Sequence, residues 1–581
     1  MKNKEVAQAL NEIGELLSLE GGNVFRIRAY ERAAQVVDSL PDPIEDIVRE
    51  NKLEEIGGIG ESIAQKIREY VDTGKIAYLE ELKNKFPQGL LRIMSVPGMG
   101  PKKAKALYEK LHINSIEELQ NAARSGEIEK LPGFGKKTED NILKGINLVE
   151  KSAERILLSE AMPIAREIIR ELKTNKFIEE IDPAGSLRRY KETIGDIDIL
   201  CSVKKGHEQP VIDQFMHLPQ VQRVIAAGET KISVITVYGR QVDLRIVQPG
   251  CYGAALLYFT GSKAHNISLR TMAKQRGLTI NEYGIFKVGH KDRPIACRTE
   301  ADMYHALGLA YIPPELRENA GEIEAAAKNE LPTLIELKDI KGDTHVHSNY
   351  SDGFNTIEEM ANKARSLGYE WVVMCDHSQS LKIARGLSVE RVHQKLAEID
   401  RLNAKNKNFR ILKGVEIDIL EHGNLDYPRA VLEKFDFVVA SVHTGFKQPE
   451  KKITGRIVRA LENPFTNCLG HPTGRLLNKR SPYAVDLEKV LDAARDNRKL
   501  LEINAFPDRL DLYDIYCREA AGMGIRMSIG TDAHSVDHLQ YMELGVAVAR
   551  RGWLEKKDII NTLSYKELMH YLHSMRETVT A

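Results

Sequence analysis

Cysteine is scarce in this sequence: six residues in 581, Cys201, Cys251, Cys297, Cys375, Cys468 and Cys517, stand singly with no CxxC pair among them. That spacing excludes a zinc ribbon and a disulfide scaffold, and leaves six reduced, structural thiols. Long apolar runs are also missing, so no segment reads as a bilayer span and no membrane role is expected. The N-terminus, MKNKEVAQALNEIGELL, lacks an apolar h-region and a small-residue cleavage site, and reads as that of a cytoplasmic protein. Net charge is absent too. The 83 basic and 83 acidic residues balance, also on either side of residue 338, so no bulk basic field announces nucleic acid. Any DNA binding must come from local features.

What the chain does have is length, with a texture that changes along it. At 581 residues it exceeds a single hydrophobic core, and roughly three to five folding units are expected. Residues 1 to 150 carry apolar residues at three- and four-residue spacing between Gly/Pro breaks, which predicts a helical module. From 151 to 250 the alternation in IGDIDILCSV, KISVITVYG and RQVDLRIV predicts a mixed α/β sheet, with helices such as IAREIIRELK beside it. A further unit carries YFTGSKAHNISLR and closes at YIPPELRE; NAGEIEAAAKNELPTL, from Asn319, reads as a helical connector. After Lys341 short strands such as THVHS, WVVMCDHS, VEIDIL and MSIGTDAH alternate with helices, the pattern of a parallel barrel. Chemistry in such barrels sits at the C-terminal ends of strands.

Within the helical module one pattern recurs three times: IGGIGESIAQKI from Ile56, VPGMGPKKAKAL from Val96 and LPGFGKKTEDNI from Leu131. Paired glycines, Gly58/Gly60, Gly98/Gly100 and Gly133/Gly135, open a helix in each. Such a turn exposes backbone N–H groups that bind a phosphate without reading a base. A single copy would suit an ordinary helix-loop-helix turn, but three copies with matching flanks favour DNA-backbone binding. Ala64 and Ala104 fill the small position four residues after the second glycine, where the third repeat has Glu139. GFGKKT is not a P-loop, because Lys130 stands where its first glycine belongs.

Two acidic residues in GDIDIL, Asp196 and Asp198, lie two apart on an expected strand, so both carboxylates project from one face. Asp243, in RQVDLRIV, can add a third from a neighbouring strand. Three hard oxygen donors suit Mg2+ or Mn2+, and two such ions roughly 4 Å apart serve phosphoryl transfer. A lone DxD is commonly a solvated strand edge. Here GSLRRYKETIG precedes it, with Gly185 and Ser186 in a backbone-rich turn and Arg189 offering a guanidinium to a triphosphate.

GSLRR, GDIDIL, VDL, YFTGSKAHN and NEYGIF together resemble a family X DNA polymerase over residues 1 to 317. The resemblance implies that Asp196, Asp198 and Asp243 are catalytic and hold two metal ions, and that Gly185, Ser186, Arg189, Gly195 and Gly261 surround the incoming triphosphate. It places Tyr258 and Phe259 by the sugar, Asn266 at the base edge and Arg270 on the template side. Lys263 follows TGS where eukaryotic members carry an acidic residue, and is expected to hold nucleotide phosphate. In lyase members the first hairpin carries a Schiff-base lysine. Lys66 stands at that position, with Ser62 and Tyr78 in place of supporting lysines, so Lys66 reads as a lyase group, as a ligand for a downstream 5′-phosphate or as a solvated helix charge.

Downstream, His345, His347, Asp352, Asp376, His377, Glu416, His443, His471, Asp532 and His534 fall at strand ends. HxH sets two imidazoles on one side of a strand, a spacing suited to Zn2+ or Mn2+. The segment resembles the polymerase and histidinol phosphatase (PHP) superfamily. That resemblance implies up to three ions: one on His345, His347, Glu416 and Asp532, a second on Glu416, His443 and His471, and a third on Asp352, His377 and His534. Asp376 is expected to orient a neighbouring ligand. Activated water would then give 3′→5′ exonuclease or 3′-end phosphodiesterase activity, with cleavage of abasic sites.

The fold expected is thus multidomain, α+β and α/β: a helical DNA-binding domain at 1–80, helix-hairpin-helix fingers at 81–150, a nucleotidyltransferase palm at 151–250, a small thumb at 251–318, a linker at 319–338 and a distorted (β/α)7-type PHP barrel at 339–581. Its expected partners are gapped or primer-template DNA and deoxynucleoside triphosphates, and the chain is expected to act as a monomer at the nucleoid in base-excision-type repair. Two rivals compete: a polymerase whose barrel is only a scaffold, and a small-molecule phosphatase joined to a DNA-binding module.

Overall fold

The computed structural model describes residues 3–38, 44–87, 89–94, 96, 99–153, 155–289 and 293–577. Residues 1–154 cluster separately from the compact unit that holds residues 155–477 and 481–581.

In the helical unit the three glycine repeats close in the same way. Ile59, Met99 and Phe134 N–H donate to the carbonyls of Ile56, Val96 and Leu131 at 3.0, 2.9 and 3.0 Å. The helices Glu61–Thr73, Pro101–Leu111 and Lys136–Ala153 then begin directly after Gly60, Gly100 and Gly135. Gly58 and Gly133 have φ of 106° and 84°, which a side chain would strain; Gly98 lies outside the described residues. Ala64 and Ala104 are fully buried, and Glu139 at the same step is buried as well. Its carboxylate accepts from Glu129 N–H at 3.1 Å, so the third repeat fills the small position with a group that ties down its own loop.

Five strands make the palm sheet: β1 (Ile178–Pro183), β2 (Ile197–Val203), β3 (Val221–Ala227), β4 (Lys231–Thr236) and β5 (Gln241–Val247), in spatial order β1-β2-β5-β4-β3. The pair β2/β5 is parallel and the other pairs antiparallel. Helix Leu158–Leu172 buries Ala161, Ala165, Ile168 and Leu172 against Ile197, Ile199 and Val242, the apolar positions of alternating strands. Burial of each large side chain contributes roughly 1.5–3 kcal/mol. GSLR forms a four-residue helix, Gly185–Arg188, rather than the turn the sequence suggests.

Beyond the palm, helices Tyr252–Thr260 and Lys263–Gln275 pack with the hairpin Leu278–Asn281/Gly284–Lys287 and helix Glu300–Ala306. Helix Glu322–Lys328, from the expected connector, joins this core through Ile323 and Ala326. Its Glu322 is fully buried and bonds His265 Nδ1 at 2.6 Å, while His265 Nε2 meets Tyr304 Oη at 2.9 Å.

Seven parallel strands then follow in sequential order: β6 (Gly342–Val346), β7 (Trp371–Met374), β8 (Arg410–Asp418), β9 (Phe437–Ser441), β10 (Cys468–Leu469), β11 (Leu500–Asn504) and β12 (Met527–Gly530). A parallel bridge between Val346 and Ala533 brings the last strand to the first, nearly closing the barrel. One apolar cluster runs from the palm (Leu187, Ile197, Val242) into the barrel (Val346, Ile417, Ile503). Polar ties reinforce this seam, among them Arg475 Nη1 to Glu192 at 3.2 Å and Arg551 Nη1 to Arg189 O at 3.2 Å. Among the described residues no helix is long and apolar enough to cross a membrane.

Two candidate metal centres

Asp198 and Asp243 are direct register partners on the parallel strands β2 and β5, so the pleat sends both carboxylates to one face. Asp196 sits one residue ahead of β2 and is exposed, rather than on the strand. Oxygens of all three lie within 4.8 Å of one another. The helix Gly185–Arg188 closes over them: Gly185 has φ of 57°, and a Cβ there would fall 2.3 Å from Asp198 Oδ2.

Charge in this cluster is uneven. Burial first, then the Asp196 and Asp243 charges, push Asp198 up to about 7. For Asp243 burial acts in the same direction but is overcome by hydrogen bonds from Lys231 at 2.6 Å, Gln241 at 2.9 Å and Ser233, which hold it below its ordinary value. Three mutually repelling oxygen donors fit a hard divalent cation, Mg2+ or Mn2+.

Several of the residues expected to meet a nucleotide lie close to one another. Tyr258 and Phe259 end one helix with rings 5.2 Å apart, and the Arg245 guanidinium lies 4.2 Å over Phe259. Asn266 Nδ2 donates to Tyr258 O at 2.7 Å, and Tyr258, Asn266 and Arg270 line one cavity with Leu257 and Leu269. Lys263 is exposed in the first turn of its helix, which Ser262 caps. Gly261 and Gly195 make close approaches: added Cβ atoms would lie 3.3 Å from Arg189 Nη1 and Arg155 Nη1. Arg189, however, is engaged, with Nε 2.9 Å from Glu318 and Nη1 2.5 Å from Thr260 O. Ser186 O accepts from Lys191 N–H at 3.0 Å, and Arg188 pairs with Glu300 at 2.7 and 2.8 Å. In the helical unit Lys66 Nζ bonds Ser62 O and Oγ at 3.2 and 3.3 Å and lies 5.3 Å from the Tyr78 ring centre.

At the barrel five of the candidate ligands face a sixth, Glu416, whose backbone lies within β8. Its Oε2 is 3.4, 3.7 and 2.8 Å from His345 Nε2, His347 Nε2 and His377 Nδ1. Its Oε1 is 3.1 and 2.9 Å from His443 Nε2 and His471 Nε2. Three groupings of donor atoms emerge: His345, His347 and Asp532; His377, Glu416 and His443; and His347, Asp352, His377 and His534. His347 and His377 are thus shared between neighbouring groups, a feature absent from the sequence-based partition.

The supporting atoms were mostly not visible in the sequence. His345 Nδ1 faces Glu502 Oε1 at 2.6 Å and His443 Nδ1 faces Asp418 Oδ1 at 2.6 Å, which turns each Nε2 inward. Asn504 Nδ2 holds Asp532 Oδ2 at 3.1 Å. A lone carboxylate inside the apolar run KLLEINA was the one signal for Glu502; Asp418, two residues past Glu416 on the same face, was another. Among the described residues Asp376 makes no direct hydrogen bond to a candidate ligand and reaches its neighbours through the backbone beside them. It accepts from Ser348 N–H and Oγ and from Ser351 N–H and Oγ, and pairs with buried Lys395 at 2.9 Å, fixing the loop between His347 and Asp352.

Burial opposes ionisation of Glu416 and Asp532, yet the surrounding imidazoles hold both well below ordinary carboxyl values. His443 is raised to about 10 by Glu416 and Asp418 against the effect of burial, while burial with His534 and His377 lowers His347 to about 4. His345 Nε2, both His347 nitrogens, His377 Nδ1 and Asp352 Oδ1 are buried without a hydrogen-bond partner. Orphaned nitrogens converging on ionised carboxylates fit divalent ions of the Mn2+ or Zn2+ type.

Family models match along much of the chain: a helix-hairpin-helix domain over residues 1–76, a SAM-like helix-hairpin-helix tandem over 90–147, a DNA polymerase beta thumb over 255–318 and a PHP domain over 343–506. The chain is 40% identical over 574 residues to the "DNA polymerase/3'-5' exonuclease PolX" of Bacillus subtilis (strain 168), covering 98% of this chain and 99% of that protein. Two shorter relatives are named "Probable phosphatase": one from Thermoanaerobacter sp. (strain X514), 32% identical over 38% of this chain and 89% of its own length, and one from Caldanaerobacter subterraneus subsp. tengcongensis, 28% identical over 41% and 92%.

Proposed function

Since the chain belongs to the family X DNA polymerases that carry a PHP domain, we propose that it extends primer 3′ ends across short gaps in damaged DNA and hydrolyses 3′ ends at the barrel. The observation that carries this is the pairing of Asp198 with Asp243 beneath the Gly185–Arg188 helix, within the same compact unit as the Glu416-centred cluster. In the palm Asp196, Asp198 and Asp243 would hold Mg2+ or Mn2+, which supplies Lewis acidity to the transferring phosphoryl group. The primer 3′-hydroxyl gives its proton to water, its oxygen joins the α-phosphorus of a deoxynucleoside triphosphate, and the bond from that phosphorus to the β-phosphate oxygen breaks to release pyrophosphate. Tyr258, Phe259 and Asn266 orient sugar and base, Arg270 meets the template side, and Lys263 and Arg189 meet the triphosphate, for which Arg189 must exchange its Glu318 partner.

The barrel's nine ligands would hold up to three Mn2+ or Zn2+ ions. There a water oxygen joins the terminal phosphorus, the bond to the O3′ of the preceding nucleotide breaks, and the water proton passes to that leaving oxygen. The products are a nucleoside 5′-monophosphate and a shortened strand with a free 3′-hydroxyl. Abasic sites are a second substrate of the same hydrolysis. The open amides after Gly60, Gly100 and Gly135 bind backbone phosphates, and Lys66, held by Ser62, meets a downstream 5′-phosphate. We place this monomer in the cytoplasm at the nucleoid.

Extension of a one-nucleotide gap tests the palm: Asp243→Ala should abolish it, and equal extension by both proteins rejects the assignment. The apolar and polar palm–barrel seam favours a second reading, in which the barrel only scaffolds the polymerase. Degradation of a 3′ end by wild type but not by His347→Ala excludes it.

A further inference from the structure

The loop after β11, residues 505–510, stands beside the Glu416-centred cluster and is pinned at both ends. Asn504 and Asp511 exchange backbone hydrogen bonds at 2.5 and 3.2 Å, and Asp511 accepts from Thr473 N–H and Oγ1 at 3.0 and 2.9 Å. Between these ties Leu510 adopts φ of 40°, an unfavourable conformation for its side chain. What secures it is Arg475, 3% exposed, whose Nε donates to Arg509 O at 2.9 Å and whose Nη2 donates to Leu510 O. The same guanidinium meets palm Glu192 at 3.2 and 2.5 Å and lies 3.9 Å over the Tyr513 ring. Glu192 is three residues beyond Arg189, so the segment that borders the palm site also anchors the barrel loop.

Arg509 carries that anchoring to the metal ligands. Its Nε is 3.4 Å from Asp532 Oδ2, the oxygen already held by Asn504, while Asp532 Oδ1 faces His347 Nε2 at 3.1 Å. The Arg509 side chain is 20% exposed, and among the described residues no other carboxylate pairs with it. One edge of the guanidinium therefore touches the cluster and the rest of its N–H fork remains open to a ligand. That fork matches two oxygens of a phosphate and cannot be neutralised by losing a proton.

We propose that Arg509 binds a non-bridging oxygen of the phosphodiester held at the barrel cluster, and that Glu192 of the palm positions it through Arg475. The inference rests on the barrel acting as a hydrolase. Arg509 adds positive charge where negative charge grows as water attacks, and Glu192 and Arg475 act only by fixing the loop.

The test uses the full chain reconstituted with Mn2+ and the p-nitrophenyl ester of thymidine 5′-monophosphate, with inorganic phosphate as competing ligand and bound Mn2+ counted by mass spectrometry. Arg509→Met should lower kcat/KM by about 10²-fold and weaken inhibition by phosphate about tenfold, with bound Mn2+ and gap filling unchanged. Glu192→Gln should lower ester hydrolysis by about tenfold through the looser loop, and Glu192→Asp should recover most of it. Unchanged phosphate inhibition in Arg509→Met overturns the proposal. So does loss of Mn2+ from that variant, which would make Arg509 a partner of Asp532 alone. If wild type holds Mn2+ but leaves the ester intact, the hydrolase reading itself fails, and this inference with it.

Discussion

The palm cluster and the barrel cluster solve the same problem with opposite electrostatics. Asp196, Asp198 and Asp243 are carboxylates alone, and their mutual repulsion adds to burial in lifting Asp198 to about 7. In the barrel His345, His347, His377, His443, His471 and His534 interleave with Asp352, Glu416 and Asp532, so even fully buried carboxylates stay ionised. In the palm Lys231 offsets Asp243 alone and leaves Asp198 to an incoming cation, whereas the barrel interleaves countercharge and nitrogen donors throughout its cluster. The contrast suits a hard, exchangeable ion in the first and more tightly held ions in the second.

Removing the shared barrel carboxylate should have the largest effect. Glu416 faces imidazoles with both oxygens, so Glu416→Gln is expected to slow 3′-nucleotide release by on the order of 10³-fold, measured with end-labelled DNA. A near-normal rate would dissolve the contrast from the barrel side. From the palm side the test is stability without metal. Asp198 has a folded pKa near 7 against about 3.9 unfolded, so between those values the folded chain binds more protons and loses stability as pH rises. Asp198→Asn should therefore stabilise metal-free protein by about 2–4 kcal/mol at pH 8 and by nothing near pH 3, read from denaturation in chelator. A gain that does not vanish in acid would assign it to something other than charge.

Smaller changes sharpen the picture. Glu502→Gln weakens the hold on His345 Nδ1 and should cost 10- to 100-fold in barrel metal affinity while leaving the palm untouched, as competition with a chelating dye would show. Smallest is Glu139→Ala, which frees Glu129 N–H and should destabilise the helical unit by about 1 kcal/mol in urea titration with DNA affinity retained.

Residue type and spacing made much of both sites legible. Alternation in GDIDIL and RQVDLRIV pointed to facing carboxylates, and the candidate barrel ligands stand at or near the ends of short apolar strands. The hidden part was what depends on distant partners. The β2/β5 register that sets Asp198 beside Asp243 leaves no mark in either strand alone, and Arg189 meets Glu318 across 129 positions. Asp196 ahead of its strand and GSLR as a helix were missed because both lie at element boundaries, where the backbone changes over a single residue. Glu502 was passed over for a related reason: a carboxylate within an apolar strand acquires a purpose only when β6 brings His345 against it. Sharing of His347 and His377 between groups depends on ring positions that spacing does not encode.

The central claim is that one chain carries two chemically separate metal centres. Its most direct test is a double comparison on one gapped, 3′-labelled duplex, with Asp243→Ala and Glu416→Gln assayed for both nucleotide addition and nucleotide removal. Two centres require that Asp243→Ala lose addition and keep removal, and that Glu416→Gln do the reverse. Loss of both activities in either variant, or of neither, would contradict them.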